Sequence, residues 1–382
     1  MQSAHPRIPA KSIGFPVRLA AFVQKNTVLC IAAILAIVSA VLVPPDKAYL
    51  GYFDTRTLTC LFCTLAMVCA LRHIRFFTCI ACGIISVTKN LRRSVLALVY
   101  ITFIGSMLIA NDMALLTFLP LGYIVLSETG EERHMAYVFI LQNIAANLGG
   151  MLTPFGNPQN LYLFSYYGIP AGTFFSVMLP PFILSTVLIL LCCLLFPKDR
   201  LTVPEAQVVV DRRRAAVYGG LFCLAVAMVL RLIPYGPGLA IIVLALWFLD
   251  RHALKSVDWG LLATFAAFFT FSGNLARMEP VRMLFVRLLS HGTMLISALT
   301  CQIISNVPAA ILLSRFTQDA RGLLVGVNVG GAGTLVASLA SLITFREYTR
   351  RVPGGAKRFL ILFSAISFAF LAVLLAAMSL LG

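Results

Sequence analysis

Residues 147–164, NLGGMLTPFGNPQNLYLF, lie inside an apolar segment yet hold three glycines, two prolines and three asparagines. A membrane helix gains no stability from that mixture. Gly and Pro release backbone N–H and C=O groups, and in hydrocarbon each released group must be met by protein, water or a ligand. A chain with such a break inside a span is therefore restricted to folds that enclose the break in protein or place it on a polar cavity.

The pattern returns at 328–345 as NVGGAGTLVASLASLITF. Laid without gaps, the stretches match at Asn147/Asn328, Gly149/Gly330, Gly150/Gly331, Thr153/Thr334, Leu161/Leu342 and Phe164/Phe345. Asn157 and Asn160 fall opposite Ser338 and Ser341. Paired interruptions in two halves point to a carrier built from repeats, with its site at the repeat interface. The competing explanation is close packing of two Gly-rich helices. It accounts for Gly149 or Gly330, but not for the Gly-Asn-Pro-Gln-Asn run at 156–160.

The chain is 60% hydrophobic over 382 residues, more than a soluble domain of this length needs. Many runs approach the ~20 residues that cross a bilayer. An all-α polytopic membrane protein follows, with the lipid bilayer as its surroundings. The net charge of +16 does not argue for a nucleic-acid partner, because Lys and Arg sit in short loops between apolar runs. There they orient the chain in the cell membrane with its N-terminus cytoplasmic. Residues 1–26 are expected to form a cytoplasmic tail and not a cleaved signal. Cys60/Cys63 and Cys79/Cys82 are C-x-x-C pairs. A zinc or redox site is the sharper reading and small-residue packing the stronger one, since neither pair has a His or acid nearby.

Taken in order, 27–45 is a first span and 46–197 a first repeat. That repeat holds a short interfacial piece (76–87), a re-entrant hairpin entering from the cytoplasm (94–126) and a broken span (135–164). An interior loop and two linking helices occupy 198–256. Residues 257–382 repeat the plan inverted, with an amphipathic piece at 279–290, an outer hairpin at 292–316 and a broken span at 322–345. About nine full spans plus two hairpins result. Most basic loops fall on one side in this layout, the exceptions being 277–287 and 315–321, a test independent of the sequence match.

Asp112 is the sharpest single residue, because the other 13 of 14 acids lie in loops or at span ends. A carboxylate at depth is a functional hypothesis by default, here a carrier of H+ or Na+. The bland alternative is an N-cap for the second hairpin arm. Asn111 and Asn306 occupy equivalent tips, where their amides can meet a cation or an anion. Thr153, Gly156, Asn157 and Asn160 are expected to face the first tip. Gly331, Thr334, Ser338 and Ser341 are expected to face the second. No basic residue sits in either tip or broken core, so an anion must be held by amides, hydroxyls, backbone N–H groups and a co-bound cation. No catalytic triad, metal-ligand cluster or nucleotide loop argues for an enzyme.

ANDMALLTFLPL, TPFGNPQNL, SNVPAAILL and NVGGAGTLVASLASL resemble the ion transporter superfamily. That group includes the arsenite-pump membrane subunit, NhaD-type antiporters, citrate transporters and divalent anion/Na+ symporters. The resemblance covers roughly residues 50–380. It implies inverted repeats with two re-entrant hairpins, a homodimer and an elevator-like movement. Ser305-Asn306 resembles the Ser-Asn-Thr signature of the symporters, with Val307 in place of Thr. Asn111-Asp112 looks more like the arsenite and NhaD-type branch.

The expectation is an ion-coupled transporter of a small anion of the citrate or dicarboxylate class. H+ or Na+ is the coupling ion, with Na+ a candidate at Asn111, Gly156 and Asn306, and no other cofactor is expected. Arsenite efflux and Na+/H+ antiport are the rivals within the class; a passive channel or membrane scaffold is the rival outside it.

Overall fold

The computed structural model describes residues 26–199 and 208–381. The expected tail, apart from Asn26, and the middle of the 198–214 loop lie outside the described residues. Helices account for most of the described residues: α1 Thr27–Leu42, α2 Thr55–His73, α3 Phe76–Ser86, α4 Leu91–Leu108, α5 Asn111–Glu128, α6 Met135–Gly149, α7 Pro158–Tyr166, α8 Ala171–Leu194 and α9 Arg212–Val229. They continue as α10 Tyr235–Leu249, α11 Arg251–Lys255, α12 Trp259–Arg277, α13 Glu279–Leu289, α14 Thr293–Ile304, α15 Asn306–Leu313, α16 Ala320–Val329, α17 Leu339–Arg351 and α18 Ala356–Leu380.

Short polar side chains set where these helices begin. Asp54, Asp211, Asp250, Asp258 and Asp319 each accept a backbone N–H of the helix they precede. Such caps meet donors that a first turn leaves orphaned. Asn90 does the same for α4, accepting from Arg93 N at 2.9 Å. The first hairpin arm therefore starts at Leu91, and both arms reach 18 residues. The first arm thus begins three residues before the expected hairpin start at 94.

The series α2–α8 and α12–α18 correspond piece by piece: span, short helix, hairpin, broken span, long span. By length and composition six helices can each cross a membrane, or seven if α13 and α14, bent by 117°, count as one. The first broken span enters this count through Glu132–Leu152, whereas the second falls short because it is cut into α16 and α17.

Position in the bundle follows apolarity. The stretch Glu132–Leu152 is 89% buried, whereas Ala171–Leu194 and Ala356–Leu380 are 28% and 33% buried. The first is polar enough to need protein around it; α8 and α18 present Ile, Leu and Val outward, as lipid-facing helices do. In the frame, α12 packs on α1, and α2 packs on α9 and α10. In the centre, α4 packs on α6 and α14 on α16. A Cβ on Gly149 would collide with the Phe103 carbonyl, and one on Gly330 would lie 2.8 Å from Ala298 Cα. The matched glycines thus allow matched backbone contacts in both repeats. Cys60 and Cys63 are buried free thiols within the apolar core, and Cys82 is a buried free thiol.

Candidate functional site

Each hairpin turns through an extended backbone of one or two residues. In the first, Ile109 and Ala110 separate α4 from α5. In the second, Ser305 alone does so, at φ 75° and ψ 157°. Non-glycine residues rarely adopt that conformation, which costs about 1–3 kcal/mol and persists only where the surroundings enforce it. Here Asn306 N donates to Ala337 O at 2.9 Å, fixing the tip against the break in the second broken span.

The tip asparagines behave alike. Asn111 Oδ1 accepts from Asp112 N at 3.0 Å, and Asn306 Oδ1 accepts from Val307 N at 2.9 Å. Each side-chain oxygen satisfies a first-turn N–H and leaves the amide nitrogen aimed inward. Asn111 Nδ2 donates to Asn147 Oδ1 at 3.0 Å. A Cβ on Gly331 would lie 3.2 Å from Asn306 Nδ2 and 3.7 Å from Asn147 Oδ1. The second tip and Asn147, the partner of Asn111, therefore both approach the Gly331 backbone.

Asp112 sits within the first turn of α5, whose N-cap position is Ala110 and carries no side-chain cap. Its Oδ1 is buried with no hydrogen-bond partner. The capping explanation for this residue is thus replaced by an unpartnered carboxylate oxygen at the tip.

The broken spans are tied to the hairpins by equivalent threonines. Thr153 Oγ1 donates to Met107 O at 2.6 Å, and Thr334 Oγ1 donates to Gln302 O at 3.0 Å. Met107 and Gln302 each stand four residues before a tip asparagine, where a helix end leaves a carbonyl without its usual donor. Gly156 is required at its position: a Cβ would collide with Gly150 O and lie 2.6 Å from Thr153 Oγ1.

Asn157 borders a small cavity with Leu108 and Ala110 of the first hairpin, while the amides of Asn157 and Asn160 bind the broken spans. Asn160 Nδ2 donates to the carbonyls of Gly150, Met151 and Thr153 at 3.3, 3.1 and 3.2 Å. Its Oδ1 accepts from Asn328 Nδ2 at 2.6 Å. Asn157 Nδ2 donates to Asn147 O and to Asn328 Oδ1, both at 3.3 Å. In the other repeat Ser341 Oγ accepts from Asn143 Nδ2 at 3.2 Å. Ser338 caps α17, accepting from Ala340 N at 3.2 Å. These contacts lash the two broken spans across one another.

Sequence reading missed Gln302, Asn143 and Gln159. Gln302 Oε1 accepts from Thr334 N at 2.8 Å while its amide donates to Gly330 O at 2.8 Å. Its signal was a polar residue one turn before Asn306 in an otherwise apolar arm.

A cavity of about 520 Å³ lies against this centre. Asn111 and Asp112, Pro158 and Gln159, Ser305 to Pro308, and Ser338 and Leu339 all border it. These are the first residues of α5, α7, α15 and α17 with their flanks, so four helix N-termini converge on one space. Each brings the positive end of a helix dipole, which suits an anion. The opposite wall is formed by α1 and α12, including Leu35, Thr264 and Phe268. The exposed Asp258 and Arg346 stand on its rim.

Comparison with known proteins agrees with this architecture. The model of the citrate transporter family matches residues 19–322. An uncharacterized transporter of Methanocaldococcus jannaschii is 31% identical over 325 residues, covering 85% of this chain and 89% of that one. The inner membrane protein YbiR of Escherichia coli is 31% identical over 265 residues, 67% and 69% of the two chains. A low-affinity phosphate transporter of Saccharomyces cerevisiae is 35% identical over 102 residues, 26% of this chain and 12% of that protein. The chain is a multi-pass membrane transporter and belongs to the citrate transporter family.

Proposed function

We propose that the protein is an ion-coupled secondary active transporter of a small carboxylate of the citrate or dicarboxylate class. The convergence of four helix N-termini on one cavity carries this reading. The tips contribute amides and no fixed positive charge, so a carboxylate is held by N–H groups, hydroxyls and a co-transported cation. Asp112 supplies a protonatable oxygen, Oδ1, with no hydrogen-bond partner among the described residues, which supports H+ as the coupling ion. Oxygen donors crowd Gly156, and an all-oxygen set equally suits Na+ as co-transported cargo.

In the proposed cycle, cation or proton binds at Asn111, Asp112 and Gly156, and the substrate bridges to Asn306 and Thr334. The hairpins and broken spans move as one body against the frame of α1, α2, α9, α10 and α12. The many hydrogen bonds between the broken spans support a rigid carrier, and the apolar contacts of α7 with α2 and of α15 with α12 support a sliding seam. A homodimer in the cell membrane, with the N-terminus cytoplasmic, places the rim residues Asp258 and Arg346 on the cytoplasmic side.

The test is thermal stability of the purified full chain with citrate, succinate, malate, sulfate or arsenite. Each is measured with and without Na+, at about pH 5.5 and 7.5, since a ligand of the folded state raises its stability by mass action. A carboxylate shift that needs Na+ or low pH is the expected result. A shift from Na+ or pH alone would replace it with cation/proton antiport, and a shift from arsenite alone with arsenite efflux. Unsaturable flux in liposomes, indifferent to either gradient, would make the protein a channel.

A further inference from the structure

Arg346 differs from the basic residues near it. On α17 it stands four residues after Leu342 and eight after Ser338, and all three border the central cavity. That spacing places them on one helix face. Arg350 and Arg351, further along the same helix, both pair with Glu347, at 3.8 and 2.8 Å. Arg346 is exposed and has no ion pair or side-chain hydrogen bond among the described residues.

The cavity's charges make this position matter. Asp112 and Asp258 border it as acids, and Arg346 is the one Lys or Arg among its described lining residues. One oxygen of Asp258 accepts from Leu261 N at 2.9 Å, but its charge remains. A carboxylate entering past these acids is repelled unless a cation on the rim offsets them. A charge at the mouth of a low-dielectric cleft is focused into it and raises the local concentration of opposite charge.

We propose that Arg346 determines affinity and charge selectivity for the transported anion, by drawing multiply charged carboxylates through the rim. This rests on the carboxylate-transport reading above. Arg346 acts on approach and binding, so its removal raises KM or Kd and leaves the maximal rate close to wild type. The effect is electrostatic and weakens as salt shortens the screening length.

The experiment measures citrate and acetate binding to the purified full chain by titrated thermal shift, at low and high ionic strength, beside citrate uptake into proteoliposomes. Arg346→Gln is expected to raise the citrate Kd about three- to tenfold at low salt, with a smaller change for acetate and convergence at high salt. Arg346→Lys restores citrate binding and Arg350→Gln resembles wild type. A wild type that binds citrate, with Arg346→Gln equal to it at both salt levels, overturns this assignment alone. A wild type indifferent to citrate, acetate, sulfate and phosphate overturns both this assignment and the carboxylate reading.

Discussion

Asn328 Nδ2 lies 2.6 Å from Asn160 Oδ1, joining the first half of one broken span to the second half of the other. Both residues are buried, and Asn160 spends its own amide hydrogens on three carbonyls of the opened backbone. Asn160→Ala removes these contacts and leaves buried carbonyls and the Asn328 amide unpaired, each at about 1–3 kcal/mol. A large fall in thermal stability is expected. In a double-mutant cycle, Asn160→Ala with Asn328→Ala should be less damaging than the sum of the single changes, because the shared bond is counted twice. Strict additivity would mean that the two amides do not act as one joint.

Gly149 tests the backbone contact between broken span and hairpin. A Cβ there meets the Phe103 carbonyl, whereas one on Gly83 meets nothing within 4 Å. Gly149→Ala is expected to lose about 1–3 kcal/mol or more through overpacking, seen as poor yield of folded protein. Gly83→Ala should match wild type or exceed it slightly, since Ala favours a helix.

Asp112→Asn separates coupling from folding. The side chain makes no cap bond, so the variant should fold and keep its thermal stability. Transport driven by a proton gradient should be lost while anion exchange at equal pH continues. Preserved proton-driven accumulation in this variant would assign coupling to another group.

Acid should loosen the frame at one identifiable place. Asp46, in the connection after α1, receives the Arg277 guanidinium at 2.8 and 3.1 Å, and this contact holds its carboxyl below the usual carboxylate range. A depressed folded pKa means that stability is present above about pH 3.9, the unfolded value, and is lost as pH falls through the folded one. The stability difference between wild type and Asp46→Asn should therefore be constant near neutrality and shrink below about pH 4. The pair is exposed, so the effect is small and salt-sensitive. A difference that grows on acidification would reverse the assignment.

The membrane class and the breaks at Gly and Pro were legible in the chain before any coordinates. Hydrophobic run length and Gly/Pro punctuation are local properties, and the match of Asn147 with Asn328 is visible without coordinates. Asn111, Asp112 and Asn306 were legible because a polar residue in an apolar span has few bland explanations. Which polar residue meets which was decided only in three dimensions. Asn157 and Asn160 looked like tip-facing groups, yet their amides bind the opened backbone and the opposite broken span. Gln302 and Asn143 were passed over because a single amide in a helix declares no partner until another helix crosses it. Arg346 carried no signal of its own in the sequence; only the placement of α17 on a cavity whose other wall is α1 and α12 gives it a position distinct from Arg350. Hydrogen bonding is directional and short-ranged, so its assignments belong to the tertiary structure, whereas burial in lipid is set by the average character of some twenty residues.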